Sequence, residues 1–169
     1  MAALDNGDFL VTWESQDQDG SDYGIYGQNF DSTGNKKGSE FQISGTTANS
    51  QTDPNISELA NGHIVVSWSS YAQDGNLSGI FARIFDEFGN PKGDEFLVNT
   101  ETGFDEKRSS VASLNGGGFI VTWTGASHPD IIAQIFDNSG NKIGGELNIA
   151  TNYIDDNSTV IALNDGGFF

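Results

Sequence analysis

Three tryptophans, Trp13, Trp68 and Trp123, stand 55 residues apart, and the segments that end on them, NGDFLVTW, NGHIVVSW and GGGFIVTW, align without a gap. An internal period of this length constrains the fold more than any local pattern, because each unit is a supersecondary element that buries its apolar surface only against its neighbours. A second series agrees: Leu4, Leu59, Leu114 and Leu163 are separated by 55, 55 and 49 residues. Four of the six residues missing from the third unit fall between Trp123 and Ile131 and two between Leu147 and Leu163, both in expected loops. The units therefore run approximately over 5–59, 60–114 and 115–163 of one repeat domain, and residues 164–169, NDGGFF, begin a further one.

Each unit reads as four short strands divided by turn residues. In the first, Phe9, Val11 and Trp13 share one face and Leu10 and Thr12 the other, the period of two that a strand requires. The second strand, GIYGQNF, GIFARIF or DIIAQIF, is apolar on both faces, which predicts that it is covered on both sides. The third, EFQIS, EFLVN or ELNIA, alternates again, and the fourth, NISEL, SVASL or TVIAL, ends in leucine. Between the second and third strands lie FDSTGN, FDEFGN and FDNSGN, where Asp31, Asp86 and Asp137 cap a turn and Gly34, Gly89 and Gly140 supply its positive φ. Helical periodicity is absent, so the class is all-β.

Four antiparallel strands per unit of about 50 residues is the pattern of a β-propeller blade, with the Trp and Phe columns packed between neighbouring sheets. A linear stack of hairpin units and a β-sandwich of duplicated segments are the alternatives. Closed propellers use about 4 to 8 blades, so three units imply further units of a longer chain or self-association. NDGGFF stops where NGDFLVTW continues, so Phe168 and Phe169 are expected to form half of an unpaired edge strand that draws chains together.

The stretch QDGSDYGIYGQNFDSTGNKKGSEFQI resembles the tandem repeats of very large secreted or cell-surface bacterial proteins that carry calcium-binding RTX-type or adhesin modules, and the likeness extends over all three units. The resemblance implies an extracellular, non-enzymatic, calcium-dependent protein, a module for adhesion, display or ligand binding.

Composition narrows the partners. Seven Lys and Arg against 24 Asp and Glu give a net charge of −17, which repels nucleic acid and anionic membranes and attracts cations. No apolar run reaches the ~18 residues of a membrane span, so no membrane insertion is expected. The chain has no cysteine, which removes disulfides, thiolate metal sites and thiol nucleophiles.

The richest polar loop is SQDQDGSDYG, where Asp17, Asp19 and Asp22 offer hard oxygen ligands around a glycine bend, as calcium requires. The second unit keeps Asp74 at the place of Asp19 but has Ala72 and Leu77 at those of Asp17 and Asp22. The spacing is not that of an EF-hand, and a solvated acidic loop is the other reading. Tyr23, Tyr26 and Tyr71 border these loops and are the candidate ligand-binding aromatics, glycans being the candidate ligand. Glu40, Glu95 and Glu146 open the third strands and read as solubilising edge charges. His63 and His128 occupy unrelated positions, and no nucleophile, histidine and acid have the spacing of a catalytic triad. No catalytic residue is assigned, although a hydrolase completed by further blades and a lectin-like propeller are rival readings.

Overall fold

The computed structural model describes residues 1–125, 130–150 and 159–161. The expected edge strand at Phe168 and Phe169, and His128, lie outside these residues. The described strands are β1 (Ala2–Ala3), β2 (Phe9–Gln16), β3 (Tyr23–Phe30), β4 (Lys36–Gln42), β5 (Gln51–Glu58), β6 (Ile64–Tyr71), β7 (Ser78–Phe85), β8 (Phe96–Leu97), β9 (Lys107–Ser113), β10 (Phe119–Gly125), β11 (Asp130–Phe136) and β12 (Lys142–Ala150). They form three antiparallel four-stranded sheets, β1 to β4, β5 to β8 and β9 to β12, each ordered as in the chain. No described helix is long and apolar enough to cross a membrane.

The sheets are out of phase with the sequence units. The strand that closes a unit, NISEL or SVASL, pairs not with its own unit but with the tryptophan strand of the next: Ile56 opposes Val66 in β5 and β6, and Val111 opposes Val121 in β9 and β10. A repeat fixes the period of a pattern but not where one sheet stops, because strands joined by any turn can pair. The phase follows from the loop between the third and fourth strands, which carries the chain across to the next sheet while the other turns are tight hairpins.

Stacking gives each sheet two different faces. The tryptophan face of the second sheet, with Ile64, Val66, Trp68, Phe81 and Phe85, packs on Leu10, Ile25 and Ile43 of the first. The tryptophan face of the third, with Phe119, Val121, Trp123 and Phe136, packs on Val65, Ile80, Ile84 and Val98 of the second. Trp68 and Trp123 are fully buried. At about 25 cal/mol per Å² of apolar surface removed from water, these two interfaces hold the units together. Strand β7 is buried on both faces, as its unbroken apolar run predicts.

Polar groups tie successive sheets at their first strands. Val111 N donates to Asn55 Oδ1 at 3.1 Å, and Val160 N donates to Ser110 Oγ at 3.2 Å one repeat later. The first strands of the second and third sheets, β5 and β9, also carry a bulge at a non-glycine residue with positive φ, Asp53 at 56° and Arg108 at 57°. Another bulge interrupts the pairing of β3 with β4 and of β11 with β12. The side-chain amides of Gln28 and Gln134 span it by donating to the carbonyls of Lys37 and Ile143, both at 3.2 Å.

Candidate functional site

The stack has two ends of different character. At one, the FDxxGN turns repeat in detail. Asp31 Oδ1 accepts the backbone N–H groups of Thr33 and Asn35, both at 2.9 Å, and Asp86 and Asp137 do the same for their turns. Hydrogen bonds from the Asn35 side chain and backbone hold the Asp31 carboxyl well below the usual carboxylate range, and those from Asn141 lower Asp137. At Asp86 burial pushes upward, but bonds from Asn90 and Phe88 outweigh it. These carboxylates are turn caps. Between sheets at this end lie two related grooves, one of about 270 Å³ along Asp8, Lys37 and Phe88 and one of about 180 Å³ along His63, Lys92 and Ser139.

At the other end the β2–β3 and β6–β7 hairpins carry the acidic loops. Asp17 has φ 60°, and its N–H donates to Asp22 O at 2.7 Å; Ala72 has the same φ and closes the same bend onto Leu77 O at 2.5 Å. The bend therefore does not require the aspartate side chain, which is exposed at Asp17. Asp19 Oδ1 accepts Ser21 N–H at 3.1 Å, and its Oδ2 accepts the Gln42 amide at 3.4 Å. Asp22 Oδ2 accepts the Ser50 hydroxyl from the loop after β4. The three aspartates thus point to separate partners, and among the described residues no three His, Asp or Glu side chains are grouped to hold a metal ion.

Asp74 repeats Asp19 with one difference. Its Oδ1 accepts Asn76 N–H at 3.3 Å, but Leu97 stands where Gln42 stood, and Oδ2 is buried with no hydrogen-bond partner. Close by, Glu106 is 3% exposed, and its Oε2 is likewise buried and unpartnered. Burial pushes the Glu106 carboxyl up to about 7, helped by repulsion from Asp74, Asp105 and Glu146. Composition hid this residue, but alignment reveals it: Glu106 occupies the position of Gln51, whose amide donates to Ala48 O at 3.0 Å.

A pH dependence follows. The unfolded chain ionises Glu106 near 4.5, whereas the folded chain keeps the proton to about 7, so folding binds a proton across that window and stability falls as pH rises through it. Glu106→Gln supplies the amide that the repeat uses at Gln51. Relative to wild type, the variant should gain stability progressively from pH 4.5 to 7 and stay about 2 kcal/mol ahead above that. Urea titrations of both chains at several pH values measure it; a difference that does not change with pH would remove the buried acid from the account.

The three tyrosines divide. Tyr71 is 50% exposed at the end of β6, and its N–H donates to Ser50 O at 2.9 Å, so Tyr71 and Asp22 meet across Ser50. Tyr23 is half-buried, its hydroxyl 3.5 Å from Gln16 Oε1. Tyr26 is only 6% exposed, and burial, with Asp19 and Glu40 adding, raises its phenol, which leaves little ring surface for a ligand.

The recurring glutamates are more than edge charges. Glu95 reaches back to the loop of the preceding sheet, accepting the N–H groups of Gly45 at 2.7 Å and Thr46 at 3.0 Å, and Glu146 accepts Thr100 N–H at 2.5 Å. Glu40, in the first sheet, bonds Gln18 instead. Their recurrence at the unit spacing was the signal, and a backbone partner one sheet away was the part that no local pattern displays. No protein-family model matches the sequence, and no curated protein is significantly similar to it.

Proposed function

We propose that the chain is a non-enzymatic, extracellular repeat module whose sheets are arranged as propeller-like blades, and that it binds its ligand, in adhesion or display, at the acidic-loop end. One observation carries this reading: the FDxxGN turns close with the same hydrogen bonds in every described sheet, whereas the loops at the opposite end differ in length and side chains. A scaffold that holds one end constant and varies the other presents its recognition there. The net charge of −17 and the buried, unpartnered oxygens of Asp74 and Glu106 favour a cation as stabiliser, with calcium the hard cation of choice. At saturating millimolar calcium the thermal midpoint should rise, and magnesium at equal concentration should not match it. Equal midpoints with and without calcium would remove the cation.

A lectin-like activity is the second reading, favoured by the exposed ring of Tyr71 beside Asp22 and Ser50. A glycan array on which wild type binds and Tyr71→Ala does not supports it, and a blank array sinks it.

A further inference from the structure

The two grooves at the FDxxGN end are one feature built twice, and the repeat shows where they differ. Each lies between one sheet and the turn of the next. Asp8, Asn29 and Lys37 face Glu87 and Phe88 in the first groove; His63, Ile84 and Lys92, at the same places of the repeat, face Asn138 and Ser139 in the second. No described residue of the first sheet lines the second groove, although that sheet packs on the second. The opening therefore belongs to a pair of sheets and owes nothing to a sheet that precedes the pair.

The substitutions make the first groove the larger, about 270 Å³ against about 180 Å³, and change its walls. Phe88 is 68% exposed, the most open aromatic ring among the described residues, and its counterpart is Ser139. Asn29 is only 8% exposed; its Nδ2 donates to Phe88 O at 3.1 Å, and its Oδ1 is buried with no hydrogen-bond partner. A buried acceptor left unpaired is costly, so a donor brought by a ligand gains more there than at the surface. Asp8 holds Lys37 in an ion pair, and Glu87 brings a second carboxylate from the next sheet close enough to favour the charged Lys37. In the second groove Ile84 replaces the amide and His63 replaces the paired carboxylate.

These features select a ligand. Lys37 opposes a cation, and Asp8 and Glu87 oppose an anion, so the groove favours a neutral molecule. A donor, Lys37 Nζ, stands among acceptors, the two carboxylates and Asn29 Oδ1, which suits hydroxyl groups because they both donate and accept. The open Phe88 ring and Leu4 suit an apolar face. The volume, a little under the ~300 Å³ at which ordinary ligand pockets begin, limits the occupant to a single ring. We infer that the groove between the first and second sheets binds one neutral pyranose ring, a free sugar or the terminal unit of a glycan, with a C–H face on Phe88 and hydroxyls shared among Asn29, Lys37, Asp8 and Glu87. The second groove is the internal control, having neither the aromatic wall nor the amide nor the ion pair. The site lies at the end opposite Tyr71 and Asp22, so it stands apart from any ligand of the acidic loops.

The test is a titration of the isotope-labelled chain with neutral sugars, followed by backbone amide shifts. The probes are the methyl glycosides of glucose, galactose and mannose, and N-acetylglucosamine. At least one should move the amides of Gly38, Glu87 and Phe88 saturably and leave those of Gly93, Asn138 and Ser139 in place. Phe88→Ser, at an exposed position and with the side chain that the next repeat carries, should weaken binding about tenfold while the rest of the spectrum is unchanged. Glu87→Gln, also at an exposed position, should weaken it by less. Tetramethylammonium and acetate are the charged controls. No shift with any of the sugars overturns the inference, and so does a Phe88→Ser chain that binds as wild type does. A charged control that moves the same amides more than the sugars do overturns it as well. Shifts confined to Tyr71 and its neighbours overturn it too, and assign the sugar to the acidic loops instead.

Discussion

Alanine at Trp68 or Trp123 should lower the unfolding free energy by about 4 kcal/mol, and alanine at Trp13 by less than about 2 kcal/mol. The three residues are equivalent in sequence, so the difference isolates what covers them. Trp68 sits between Ile25, Ile43 and its own sheet, and Trp123 between Val65, Val98 and its own sheet, each without solvent exposure. Truncation there removes a large apolar surface and leaves a cavity that two rigid sheets cannot close. Trp13 is half-buried, and among the described residues no sheet lies above it, so water fills the space the ring vacates. Phenylalanine should be milder at both buried sites, because Trp68 Nε1 and Trp123 Nε1 are buried without hydrogen-bond partners and the indole N–H gains nothing there. Urea titrations at monomeric concentrations measure the series. Equal losses at all three positions would mean that the sheets do not stack face to face as described.

The same comparison shows what was legible in the sequence. The period, the strand positions and the face shared by Phe9, Val11 and Trp13 were readable because side-chain alternation is local and recurs three times. Turn capping was readable for the same reason: Asp31, Thr33 and Asn35 meet within five residues. The phase of the sheets was not, because Glu58 and Ile64 can be joined by one turn whichever unit they are assigned to. Nor was the bulge, since Asp53 and Arg108 share a φ but no chemistry. The acidic end misled in a physical way. Asp17, Asp19 and Asp22 are close in sequence, but a hairpin bend sends them to solvent, Gln42 and Ser50 in turn. The two unpartnered oxygens at that end, Asp74 Oδ2 and Glu106 Oε2, belong to residues 32 apart in sequence that only folding brings within electrostatic reach.

The turn glycines carry the last prediction. Gly34, Gly89 and Gly140 have φ of 86°, 88° and 85°, so a turn account alone makes their alanine variants equally costly, at about 1 kcal/mol for the left-handed backbone. Their surroundings differ. Gly34 has open space where a Cβ would go, whereas Gly89 has the Phe41 ring at 2.7 Å with Asn29 Nδ2 at 3.3 Å, and Gly140 has the Phe96 ring at 2.9 Å with Ile84 at 3.5 Å. Neither ring can simply withdraw, since Phe41 is wedged against Phe85 and Phe96 against Phe136. Overpacking of this kind adds about 1 to 3 kcal/mol. Gly89→Ala and Gly140→Ala should therefore each cost about 3 kcal/mol in urea unfolding, and Gly34→Ala about 1 kcal/mol at monomeric concentration. Equal costs would reduce the glycine to its turn and leave Phe41 and Phe96 free to move aside.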